Sequence, residues 1–108
     1  MTDIPHVQRI DLGDGDWVDI TTRPTHARVN RLYKAWEHNR ADLSAYLDVQ
    51  AEVILSLAVE WSCKAEDGHE APLTAEGLAT VPFDKTMAAF NAAKAVSEEI
   101  FKGLAPNA

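Results

Sequence analysis

Apolar and polar positions alternate at the start of this chain and recur at helical spacing over the rest of it. Val7-Gln-Arg-Ile-Asp-Leu12 and Asp16-Trp-Val-Asp-Ile-Thr-Thr22 are two partly alternating runs around Gly13-Asp-Gly15. A glycine-rich turn between alternating runs predicts a β-hairpin over about 7–22, because Asp-Gly reaches the positive φ that tight hairpins need. Trp17 is expected to pack, on a sheet face that the pattern leaves open. Pro24 ends the second strand, and Thr25 is placed to cap a helix from His26 to Glu37. There Val29, Leu32, Tyr33 and Trp36 fall at i, i+3, i+4 and i+7. Asn39-Arg40-Ala41-Asp42 reads as a connection.

From Leu43 to about Lys64 neither proline nor glycine interrupts, and Leu43, Tyr46/Leu47, Ile54, Leu57/Ala58 and Trp61 form one apolar line. The spacing predicts a long helix over 43–64. Val53, Leu55 and Val59 widen the line, which fits either a central helix packed on several sides or one with a face reserved for a partner. Ala65-Glu-Asp-Gly68-His-Glu-Ala-Pro72 is a polar loop. Thr74 starts a brief helix over 75–80, closed by Pro82. Asp84 is the expected N-cap of a last helix over 85–102, lined by Met87, Phe90, Ala93, Val96/Ser97, Ile100 and Leu104 and ended by Gly103 and Pro106. The expected fold is α+β: an N-terminal β-hairpin followed by three main α-helices and one short helical turn, mostly helical, in a single domain of 108 residues.

Charge narrows the partners. The net charge is −7, and all of the excess lies C-terminally: residues 1–40 carry six Lys/Arg and six Asp/Glu, residues 41–108 four and eleven. An acidic surface repels phosphate backbones, so nucleic acid is an unfavoured partner. Arg28, Arg31 and Lys34 form a basic stripe on the first helix, most simply a solvated face. No apolar window reaches the roughly 20 residues of a membrane span, and the start of the chain has no secretory pattern, so a cytoplasmic location is expected.

Catalytic patterns find no support. His6, His26, His38 and His69 lie in separate elements with no His-x-x-x-His or Cys-x-x-Cys pair, so neither a metal nor another cofactor is expected. Cys63 is the single cysteine, read as a small buried side chain and not as a nucleophile served by His69. Asp14-Gly-Asp16 is similar to the start of a calcium loop but lacks the later glycine and terminal glutamate, and a turn explains it better. Glu66/Asp67 and Glu98/Glu99 read as solubilising charges. The expectation is a protein without enzymatic activity.

Three segments, in order, resemble the small tail assembly chaperones of long-tailed (siphovirus-type) phages, particularly those of actinobacterial hosts. They are Gly15-Asp-Trp17-Val-Asp-Ile-Thr-Thr-Arg23-Pro; Val59-Glu-Trp61-Ser62 with Glu66-Asp-Gly68; and Pro72-Leu-Thr-Ala-Glu76-Gly-Leu78 with Val81-Pro82 and Asp84, together touching roughly residues 13–102. The resemblance implies a non-enzyme of the host cytoplasm that binds the tape measure protein, helps the tail tube polymerise around it and is absent from the finished particle. It also implies a short form, to which this chain would correspond, beside a frameshifted long one. Contact with the tail tube protein and homo-oligomerisation remain open. The basic stripe maps to no family role.

With the resemblance, the partner-binding candidates are Val53, Leu55, Leu57, Val59 and Trp61, with Arg28, Arg31 and Lys34 as a second surface. Ile54, Leu57 and Trp61 lie on the line expected to face the core, so exposure of Val53, Leu55 and Val59 would mark a binding face. A structural virion protein of the head-to-tail connector or tail-completion type is the alternative, and a small acidic host-directed regulator that imitates nucleic acid is a third.

Overall fold

The computed structural model describes residues 6–37 and 42–104; His38, the expected connection Asn39-Arg40-Ala41 and Pro106 lie outside them. The hairpin pairs β1 (Val7–Gly13) with β2 (Asp16–Thr21), antiparallel, in a register running from Val7↔Thr21 to Asp11↔Trp17. Asp14 and Gly15 both adopt positive φ, 56° and 81°, the requirement of a tight two-residue turn. Ile10, Leu12, Val18 and Ile20 line the inner face of the hairpin. On its outer face the Arg9 guanidinium stacks 3.6 Å from the Trp17 ring centroid and grips Asp19 by a two-pronged bond, Nε to Oδ1 at 2.8 Å and Nη2 to Oδ2 at 3.1 Å. Trp17 therefore packs on the outer face, under a cation.

Helix α1 (His26–Glu37) starts where Thr25 Oγ1 accepts the N–H of Arg28, and Asp42 caps α2 (Leu43–Leu57) by accepting the N–H of Ala45. The long helix expected over 43–64 is corrected here: α2 ends at Leu57, and Ala58–Trp61 is a third strand, β3, antiparallel to β2. No breaker residue causes this. The free edge of β2 offers backbone partners, Ser62 N–H donates to the Trp17 carbonyl, and Ser62 Oγ accepts from Trp17 N–H. Val59 and Trp61 suit a strand better than a helix, so long-range pairing overrides local propensity. The sheet order is β1-β2-β3.

Thr74 Oγ1 accepts the N–H of Gly77 and caps α3, which spans Ala75–Leu78, shorter than the expected 75–80. Helix α4 runs Phe83–Leu104 and not 85–102. Its first acceptor is the Pro82 carbonyl, which receives N–H bonds from Lys85 and Thr86, so Asp84 sits in the first turn and meets the positive end of the helix dipole instead of capping it. The core joins the inner sheet face to Val53, Ile54 and Leu57 of α2, Leu32 of α1 and Phe90 of α4. Among the described residues no helix is long and apolar enough to cross a membrane.

Candidate protein-docking groove

The surface expected along 53–61 is not presented as a helical strip. Val53 and Leu57 are 0% exposed, Trp61 is buried with its Nε1–H donating to the Ala71 carbonyl at 2.7 Å, and Leu55 is partly buried against the core. Only Val59 stands out, 48% exposed, and it lies on β3. The physical reason is that the sheet, α1, α3 and α4 all pack on α2, so the surplus aliphatic surface at Val53 and Leu57 is consumed inside the molecule.

The basic stripe is likewise engaged. Arg28 Nη1 donates to the carbonyls of Ser56 and Ala58, at 3.0 and 3.3 Å, acceptors that the end of α2 leaves without helical partners. Arg31 forms a two-pronged ion pair with Glu52, Nε to Oε1 at 2.8 Å and Nη2 to Oε2 at 3.2 Å. Lys34 is exposed and borders the same helix face. Sequence spacing aligned these three cations but could not show that two of them bind α2.

A different apolar surface is open. Leu47, Ala51 and Ile54 lie one turn apart on α2, facing the stretch where the chain leaves α3 and enters α4. A half-open groove of about 410 Å³ results. Its floor is Ile54, Leu78 and Val81, all buried, and its rim carries Phe83, 59% exposed, and Leu47, 36% exposed. Leu43, one turn before Leu47, is 70% exposed. The polar lining is Asp48, Gln50 and Thr86. Part of this site was legible: Leu47 and Ile54 belong to the apolar line that helical spacing picked out, with Ile54 expected to face the core. Phe83 carried no signal, because its exposure depends on α4 starting at Phe83 and not after Asp84.

Burial pushes the Cys63 thiol up from 9.0 to about 11, helped by the charge of Asp16 and opposed by Lys85, so the side chain stays a protonated thiol at neutral pH. The calcium-like Asp14-Gly-Asp16 turn already holds a cation of the chain itself: Lys85 Nζ is 2.9 Å from Asp14 Oδ2 and 3.4 Å from Asp16 Oδ2. Among the described residues no group of three or more His, Cys, Asp or Glu could hold a metal ion. No protein-family model, curated protein or solved structure matches the chain.

Proposed function

We propose that this protein is a non-enzymatic tail assembly chaperone of the long-tailed phage type, acting in the host cytoplasm, and that the groove between α2 and the α3–α4 connection holds an apolar helical segment of a tape measure protein. The observation that carries the reading is Phe83, exposed with Leu47 on the rim of a groove with an apolar floor. A single exposed leucine is ordinary, whereas two large exposed apolar side chains on the rim of one apolar-floored groove are a docking feature. An amphipathic helix laid into such a strip anchors through side chains at i, i+3, i+4 and i+7. A tape measure protein is a helical rod with apolar seams to shield before the tube encloses it, and the segments at 15–24, 59–68 and 72–84 support the family reading.

The test is co-expression with the tape measure protein of the same phage, followed by pull-down. The chain should retain it, Leu47→Asp with Phe83→Ala should lose it while keeping a native circular dichroism spectrum, and Val59→Asp should retain it. Retention by the groove variant would refute the groove. Purified virions should be depleted of the chain; a fixed copy number there would replace the chaperone by a structural tail component.

A further inference from the structure

The free edge of β1 has a phase that can be fixed. Thr22 N–H donates to the His6 carbonyl at 2.7 Å, and this pair continues the β1–β2 register. Gln8↔Ile20 and Ile10↔Val18 are then the hydrogen-bonded pairs, because such pairs alternate along an antiparallel ladder. Val7, Arg9 and Asp11 therefore turn their N–H and C=O groups away from β2, and no other described residue bonds them. The opposite edge of the sheet is not open in this way: Arg28 takes the Ala58 carbonyl, and Cys63–Ala65 pairs with His69–Ala71.

We propose that β1 pairs antiparallel with β1 of a second copy, about a two-fold axis at Ile10, to give a continuous six-stranded sheet β3-β2-β1-β1-β2-β3. Charge selects the register. An axis at Arg9 sets Arg9 against Arg9, and like charges directly opposite destabilise a ladder. An axis at Gln8 sets Val7 against Arg9 and leaves Asp11 without a partner. An axis at Ile10 sets Arg9 against Asp11 twice, since an isologous contact repeats each pair, and brings the two Ile10 side chains together on the inner face. The groups have capacity for this: Arg9 uses Nε and Nη2 on Asp19, leaving Nη1, and Asp11 is exposed with one oxygen accepting from Gly13 N–H.

Sedimentation equilibrium of the full chain should give twice the 11.9 kDa of one copy. Asp11→Arg, an exposed change, replaces two attractive pairs by two repulsive ones and should weaken association by about tenfold. Cysteine trapping reads the register. At a two-fold non-hydrogen-bonded pair the Cα atoms lie about 4.5 Å apart, within reach of a disulfide, so Ile10→Cys should cross-link on oxidation and Arg9→Cys should not. A chain that stays monomeric at every concentration, a dimer indifferent to Asp11→Arg, or cross-linking through Arg9→Cys in place of Ile10→Cys would each overturn the proposal.

Discussion

Lys85 Nζ lies 2.6 Å from the carbonyl oxygen of Gly13, 72 positions earlier in the chain. It also donates to the Leu12 carbonyl at 3.3 Å and to Asp14 Oδ2 at 2.9 Å, so the ammonium of α4 occupies the inside of the hairpin turn. The lysine side chain is only 10% exposed, and its stem is packed where the helix crosses the sheet.

Lys85→Met should keep the stem and remove the charge, leaving two carbonyls and two carboxylates without their common donor. The expected outcome is a melting temperature lower by about 5–10 °C, read by circular dichroism. Asp14→Asn, which tolerates the positive φ of the turn, should move it by less than Lys85→Met does, because the Asp14 side chain is 86% exposed. Equal effects would show that the ion pair, and not the carbonyl cage, makes the lock.

Gly77 stands at a close crossing of backbones. A Cβ there would run into the carbonyl oxygen of Pro72, which side-chain rotation cannot relieve. Gly77→Ala should cost about 1–3 kcal/mol through overpacking, measured by urea unfolding. Gly103→Ala, which meets open space on a helical backbone, should instead gain roughly 0.4–1 kcal/mol. A neutral Gly77→Ala would mean that α3 shifts freely away from Pro72.

The hairpin, α1 and α4 were legible because each carries its own local signals: alternation with Asp-Gly, Thr25 before a helical stripe, and a long amphipathic run. The end of α2 was not. Nothing from Ser56 to Trp61 breaks a helix; what ends it is the unpaired edge of β2 and the Ser62–Trp17 bonds, partners about forty residues away that no local window contains. The same blindness misplaced Val53. Surplus apolar surface on a helix signals neighbours, and only the fold tells whether they belong to the same molecule.

Arg28 and Arg31 are one turn apart on α1, yet their removal should differ. Arg28→Met strips donors from the Ser56 and Ala58 carbonyls in partly buried surroundings and should cost about 1.5–3 kcal/mol, the range for bonds to a charged group. Arg31→Met breaks an ion pair whose side chains are 47% and 41% exposed, so about 0–1 kcal/mol is expected. Hydrogen exchange locates the first loss: amides at 58–61 should open faster in Arg28→Met only. Equal protection in both variants would remove Arg28 from the α2–β3 junction.

Alkaline pH should destabilise the fold through two groups acting in the same direction. Burial raises the Cys63 thiol from 9.0 to about 11, so the unfolded chain releases this proton first and stability is lost between those values as pH rises. The Lys85 ammonium is also raised from 10.5, by the hydrogen bond to Asp14 before all else. Its contribution is complete below 10.5 and disappears as pH climbs through the raised value. Urea midpoints should therefore hold steady from pH 7 to about 8.5 and fall from about 9 upward, and Cys63→Ala should flatten the first part of that fall while leaving the Lys85 part in place. At neutral pH the same burial should leave the thiol silent to an alkylating reagent until denaturant is added. Reaction at the native protein's full stability would show that Cys63 is reached without unfolding and that the thiol is not what weakens the fold above pH 9.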